Sequence, residues 1–236
     1  MALTDGSIFN NDTETVCEEI TYTRNFSNTK WQALYVPFEM SYEDWSADFE
    51  VARLNDVHQW DDDEDGNIDR TELEIVKIKS GSTQANTPYL IRAKAEGEKT
   101  LTLMNATLYK SEEYSIDCSS VGTLFTFTGT YSGVDGTDMY GQGYYALGNG
   151  ALVQAESSES DLSSFRWYMA VTDRFGNPKN IGEVKLALFG IDAETDGIQQ
   201  VSNERAESAI YDMGGRRIAI PTRGMYVRNG KKFIVK

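Results

Sequence analysis

An acidic segment at residues 61–72 has the residue types and spacing of a calcium loop. Calcium prefers about six to eight oxygen ligands, and alternate carboxylates on a tightly curled backbone can all point inward. Gly66 stands at position 6, where such a loop turns sharply, and Ile68 supplies the apolar eighth position. The predicted ligands at positions 1, 3, 5, 7, 9 and 12 are Asp61, Asp63, Asp65, Asn67 (through its carbonyl), Asp69 and Glu72 (through both carboxylate oxygens).

The flanks of this segment decide what kind of calcium loop it would be. An EF-hand would place a long helix on each side, whereas residues 73–79 are rich in β-branched side chains and stop at Ser80–Gly81. We therefore expect a strand after the loop and a structural calcium site between the strands near residues 50 and 75, with a Kd on the order of 10⁻⁴ M. The alternative is a solvated turn, because Asp, Asn and Gly are common in turns.

Short strands separated by turn signals occupy most of the chain. Ser41 is the expected N-cap of one short helix over residues 41–46. Turn residues predict three hairpins, around Gly97, across 148–150 and across 176–178. The predicted strands are 20–24, 31–38, 49–54, 73–79, 88–94, 99–104, 124–131, 143–147, 151–154, 165–171 and 183–189.

This pattern predicts an all-β fold, an antiparallel β-sandwich with one or two short helices. The sandwich would be either jelly-roll-like or a pair of small sandwiches. We expect a domain over residues 1–190, with a division into subdomains near 80–120 as an alternative. A polar linker follows at 191–207, and a tail of tiny strands at 208–236 with an Asn-Gly hairpin signal.

The charge distribution excludes some partners. The net charge of −15 argues against nucleic acid, because phosphate binding needs a basic surface. Residues 213–236 carry seven basic and no acidic residues, which is typical of a separate module or of a basic strand pair on an acidic face. No apolar run is long enough to span a bilayer. The first residues lack a charged-then-apolar leader, so we expect a cytosolic chain or a segment of a longer exported protein.

Catalytic motifs are not evident. Thirty-seven acidic residues guarantee candidate carboxylate pairs, so a degenerate glycoside hydrolase is only a third hypothesis. His58 is the single histidine and has no triad partners; we expect it at the surface beside Trp60. Cys17 and Cys118 have no CxxC neighbour, so we do not expect a zinc site. They form either one disulfide, if the protein is exported, or two free thiols, which we favour.

Exposed aromatic rings would instead indicate carbohydrate binding, since sugars stack on such faces. Trp31 and Trp167 lie among apolar neighbours and are expected in the core. The candidate ligand-facing aromatic residues are Trp60, Tyr140 and Tyr144.

The tail from Ile210 to Lys236 resembles the "YDLxGRR…kGiYivnGkKvvik" ending of type IX-like C-terminal sorting domains in Bacteroidetes secreted proteins. The residues that match are Tyr211, Gly215, Arg216, Gly224, Tyr226, Gly230 and Lys232. Segments 23–38, 85–92 and 165–168 are similar to regions that precede this tail in large Bacteroidetes surface proteins, some with leucine-rich repeats.

The resemblance implies export through a dedicated machinery and an extracellular or cell-surface location. The tail would be either a working sorting signal or a packed part of the sheet. We expect a non-enzymatic structural or adhesion domain with a calcium-stabilised loop, whose partner is a glycan or a surface protein. The main alternative is a carbohydrate-binding module.

Overall fold

The computed structural model describes residues 1–65, 67–120, 122–148 and 150–188, together with the backbone of four strands between residues 210 and 235. The chain forms two compact units, Met1–Gly190 and Ile191–Lys236. Within the described residues no helix combines the length and apolarity that crossing a bilayer requires.

Strands make up most of the regular secondary structure of the described residues, which also include two short helices. The helices are α1 (Tyr42–Trp45) and α2 (Gly136–Gly141). The strands of the first unit are β1 (Ala2–Thr4), β2 (Thr15–Phe26), β3 (Gln32–Leu34), β4 (Phe49–Trp60), β5 (Arg70–Lys77), β6 (Tyr89–Ala93), β7 (Gly97–Leu108), β8 (Ser115–Ser120), β9 (Thr123–Thr130), β10 (Tyr145–Gly148), β11 (Ala151–Gln154), β12 (Arg166–Asp173) and β13 (Val184–Leu188). The second unit has β14 (Ile210–Asp212), β15 (Arg217–Ile218), β16 (Gly224–Arg228) and β17 (Lys231–Val235).

The first unit contains two sheets. The smaller has the strand order β1-β2-β7, and the larger has ten strands in the order β3-β6-β4-β5-β13-β11-β10-β12-β9-β8. The larger sheet curls, so that β8 returns to β4 and β3 approaches β12. The predicted all-β, sandwich-like fold is therefore confirmed. Two pairs depart from a purely antiparallel arrangement, because β1 is parallel to β2 and β5 is parallel to β13.

Two hydrophobic cores share the strands β3, β6 and β4 as a common wall. In β4, Val51 faces the first core, between the two sheets, and Ala52 faces the second, inside the curl. In β6, Ile91 and Leu90 divide in the same way. Because successive side chains of a strand point to opposite faces, a strand that is buried on both sides reads as a continuous apolar run. This explains the Tyr-Leu-Ile run of β6.

Several local predictions are confirmed. Ser41 caps α1, and its backbone N–H donates to Asp44. The β10–β11 hairpin pairs Gly148 with Ala151. The strand predicted at 124–131 is β9, where Phe125 and Phe127 are fully buried on one face.

The hairpin predicted around Gly97 is wrong. Strand β6 pairs with β3 and β4, whereas β7 pairs with β2 in the other sheet. Ile91 on β6 and Leu101 on β7 both belong to the first core instead. The chain therefore passes from one layer to the other between these strands, and its glycine marks a crossover rather than a two-strand turn.

The turn predicted across 176–178 is present, but the two long strands around it do not pair as a hairpin. The turn exists, since Asp173 N–H donates to the Asn177 carbonyl and Thr172 bridges Pro178. Strand β13 nevertheless leaves β12 and pairs with β11 and β5. The strand predicted at 31–38 is also shorter, because only β3 is extended into a ladder. Residues 35–38 are buried in the first core without strand pairing.

The second unit is a four-stranded sheet of order β15-β14-β16-β17. Strands β16 and β17 are antiparallel, as predicted on the two sides of Asn229–Gly230. Among the sorting-like residues, Tyr211 lies in β14, Gly224 and Tyr226 in β16, and Lys232 in β17. Outside the described residues lie Gly215, Arg216, Gly230 and the predicted linker 191–207.

Candidate metal site at the β4–β5 turn

The acidic segment connects two long antiparallel strands. Strands β4 and β5 pair from Ala52–Lys77 to Trp60–Arg70, with a register shift between Leu54 and Asp56. At the end of the ladder, Asp69 N–H donates to the Trp60 carbonyl at 2.8 Å. The predicted strand after the loop is thus confirmed, and strands rather than EF-hand helices flank it.

Three of the six predicted ligands converge. Asp61, Asp63 and Asp65 each offer a carboxylate oxygen, and these oxygens lie within 4.8 Å of one another. The Asp65 N–H donates to Asp61 Oδ1 at 3.1 Å and to Asp63 Oδ1 at 3.2 Å. Glu64 takes a left-handed backbone conformation, with φ of 61°. These features curl the loop so that alternate side chains share one side.

Asn67 holds Asp65 in its charged form. Its backbone N–H donates to Asp65 Oδ1 at 2.8 Å, and its side-chain Nδ2 donates to Oδ2 at 3.0 Å. The hydrogen bonds from Asn67 lower the pKa of Asp65, because they stabilise the carboxylate over the acid. Gly66, the predicted sharp turn, lies outside the described residues.

The remaining two carboxylates are engaged elsewhere. Asp69 Oδ2 accepts from the Asp62 N–H at 2.6 Å, which closes the loop base. Glu72 lies on β5 and its Oε1 accepts from Arg70 Nη1 at 2.7 Å. The structure therefore does not bring Asp69 or Glu72 into the three-aspartate group.

Arg70 is the residue of the candidate site that the sequence pattern missed. It bonds Asp62 through Nε at 2.9 Å as well as Glu72, and its guanidinium lies 4.7 Å from the Trp60 ring centroid. The hydrogen bonds to Asp62 and the single one to Glu72 raise the pKa of Arg70. The sequence does contain a signal for Arg70. It is a cation two positions before Glu72, the predicted bidentate ligand, and a cation there competes with calcium for the Glu72 carboxylate.

The three candidate aromatic rings come from different elements. Trp60 is 42 % exposed at the end of β4, where Arg70 covers its ring and His58 lies 6.1 Å away, as expected for that histidine. Tyr140, on α2, is 55 % exposed. Tyr144 is half-buried and stacks on Tyr168 with centroids 4.5 Å apart.

Other sequence predictions can be placed directly. Trp31 and Trp167 are buried core residues, as expected. Cys17 on β2 and Cys118 on β8 are both free thiols. Burial raises the pKa of Cys118, so its thiol is less reactive than an exposed one.

Comparison of the chain with protein-family models, with curated proteins and with solved structures found no match.

Proposed function

We propose that this chain is a non-enzymatic, extracellular or cell-surface β-sandwich domain with a structural or adhesive role, stabilised by calcium at the β4–β5 turn. The observation that carries the proposal is the convergence of Asp61, Asp63 and Asp65 in a segment whose full spacing matches a calcium loop.

The negative charge of the loop favours the binding of a cation. Residues 61–65 are five consecutive acidic residues, and like charges this close repel one another. Arg70 offsets part of that charge through its ion pairs with Asp62 and Glu72. A calcium ion would supply two positive charges and join both ends of the loop, which stabilises the hairpin.

Complete coordination requires more oxygens than three carboxylates. Glu72 is the residue that would add two, and for that it must exchange Arg70 for the metal. This exchange costs free energy, which favours the weak affinities of extracellular calcium modules, with Kd about 10⁻⁴ to 10⁻³ M. The tail's resemblance to a sorting signal supports the same location.

Thermal unfolding of the full chain tests the proposal. With a Kd of about 10⁻⁴ M and calcium at about 10⁻² M, binding contributes about 2.7 kcal/mol. For a domain of this size that corresponds to a Tm roughly 5–10 °C higher in calcium than in EDTA. Asp65→Asn removes one ligand charge with little change of shape and is expected to abolish most of the difference.

The matched control is Asp12→Asn, an exposed carboxylate outside the loop. It is expected to keep the calcium-dependent Tm difference of the wild type. Equal melting in calcium and EDTA, or equal loss of the difference in both variants, would contradict the calcium site.

A second candidate function is carbohydrate binding. Tyr140 is exposed, and Tyr144, four residues later in the chain, stacks its ring on Tyr168. Such rings offer faces on which sugars can stack. A glycan array probed with wild type and with Tyr140→Ala tests this function. Specific glycan binding by the wild type that Tyr140→Ala loses would support a sugar-binding surface at Tyr140.

A further inference from the structure

A small polar pocket with a cationic lining lies where the end of β2 and residues 27–31 meet β3, β10 and β12. Its volume is about 170 Å³. Drug-sized ligand pockets start at about 300 Å³, so this one fits an ion or a single small group. Its charged and polar lining residues are Arg24, Lys30, Arg166, Ser27, Asn28 and Gln32.

The buried Arg24 and the half-buried Arg166 share a single carboxylate at this pocket. Arg166 donates to Asp5 through both Nη atoms, with Nη2 to Oδ2 at 2.6 Å. Tyr22 donates its hydroxyl to Asp5 Oδ1 at 2.7 Å, so this carboxylate is already well satisfied. Arg24 Nε lies 3.8 Å from Asp5 Oδ2, which is beyond hydrogen-bond distance.

The Arg24 guanidinium is otherwise bonded to neutral groups. Its Nη1 donates to the Ala33 carbonyl at 2.9 Å and its Nη2 donates to Gln32 Oε1. Its Nε is buried without a hydrogen-bond partner, and the side chain is 1 % exposed. A buried cation is costly unless an anion compensates it.

Titration behaviour agrees with this charge imbalance. Burial, together with repulsion from Arg166, lowers the pKa of Arg24 to about 10. For Asp5, burial acts to raise the pKa, but hydrogen bonds and charge from Arg166 outweigh it and lower the pKa. One carboxylate thus remains ionised between two guanidinium groups, which leaves one positive charge uncompensated, with Lys30 at the exposed rim.

We propose that this pocket binds a small oxyanion, a carboxylate, sulfate or phosphate group, between the Arg24–Arg166 pair and Lys30. An oxyanion there would compensate the second arginine through charge-assisted hydrogen bonds. Ser27, Asn28 and Gln32 offer neutral hydrogen-bonding groups beside it. The site is independent of the β4–β5 loop and extends the function beyond a calcium-stabilised scaffold.

Calorimetric titration of the full chain, freed of metal ions on a chelating resin and kept at constant ionic strength with chloride, tests this pocket; EDTA is left out because its carboxylates would compete for the same site. The ligands are sulfate, phosphate and glucuronate, with glucose as the neutral counterpart of glucuronate. We expect saturable binding of oxyanions and none of glucose, because a chain of net charge −15 has little non-specific attraction for anions. Glucuronate binding without sulfate or phosphate would identify an acidic sugar, and binding of the inorganic ions would identify a free oxyanion.

Charge-matched variants locate the binding. Lys30→Gln is expected to weaken the association by about fivefold, and Arg24→Met by more than about tenfold, because charge-assisted hydrogen bonds are lost. Lys185→Gln removes the same charge from an exposed position outside the lining and is expected to leave affinity unchanged. If Arg24→Met does not fold, the oxyanion affinities of Lys30→Gln and Lys185→Gln still show whether the pocket is the binding site. No saturable binding of any oxyanion, or equal weakening by both lysine variants, would overturn the pocket.

Discussion

Gly129→Ala is expected to destabilise the first unit strongly, because the Tyr35 ring occupies the space of a side chain at that position. A Cβ built on Gly129 would lie 2.1 Å from Tyr35 Cδ2 and Cε2. That is 1.3 Å short of the 3.4 Å at which ordinary van der Waals contact begins. The Tyr35 ring is fully buried and packs on Tyr131, with centroids 4.8 Å apart, so it has little room to move.

Displacing the ring also breaks hydrogen bonds. The Tyr35 hydroxyl donates to the Glu112 carbonyl and accepts from the Tyr114 N–H at 2.9 Å. Overpacking a core costs about 1–3 kcal/mol, and each lost hydrogen bond adds about 1 kcal/mol. We therefore expect Gly129→Ala to lower the free energy of unfolding by about 3 kcal/mol or more.

Urea unfolding followed by tryptophan fluorescence measures this loss. Gly141→Ala is the matched control, because its Cβ would meet nothing within 4 Å at the end of α2. In a Tyr35→Ala background the Gly129 substitution should cost less than about 1 kcal/mol, since the obstructing ring is gone. A Gly129→Ala protein within about 0.5 kcal/mol of wild type, or an equal cost in both backgrounds, would refute the reasoning.

Two further predictions concern charged groups. Arg70→Gln should raise calcium affinity by up to about fivefold, because it frees Glu72 from an exposed ion pair worth at most about 1 kcal/mol. Calorimetric calcium titration measures the affinity, with the charge-preserving Arg70→Lys as the control. An unchanged or weaker affinity in Arg70→Gln would contradict the prediction. The folded-state pKa of Asp5 is lowered below the usual aspartate value of 3.8. Its carboxylate therefore stabilises the fold above about pH 4, and this stabilisation is lost as the pH falls through the folded-state pKa. Asp5→Asn should therefore be less stable than wild type at pH 7, with a difference that shrinks towards pH 3; urea unfolding at both pH values measures it, and a pH-independent difference would argue against the Asp5–Arg166 pair as its source.

Features encoded by neighbouring residues could be predicted from the sequence. The alternation that buries Phe125 and Phe127 is a local signal, as are the cap of α1 and the β10–β11 turn. In the acidic loop, the Asp61–Asp65 curl also follows from spacing within five residues. These parts depend on backbone propensities and turn chemistry that act over a few residues.

Pairings between distant segments could not be predicted in the same way. Strand β13 lies parallel to β5, more than a hundred residues away in sequence, and no local pattern distinguishes this from a hairpin with β12. The ion pair between Asp5 and Arg166 is equally remote. Such features are set by packing rather than by spacing.

Terbium luminescence tests the central claim, a cation site at the β4–β5 turn, most directly. Terbium substitutes for calcium as an oxygen-bound cation, and the indole of Trp60, directly before Asp61, is placed to sensitise its emission. We expect emission on tryptophan excitation that calcium displaces and that Asp65→Asn abolishes. Trp60→Phe should remove most of the emission while leaving calcium affinity intact. Sensitised emission that calcium does not displace, or that persists in Asp65→Asn, would contradict the site.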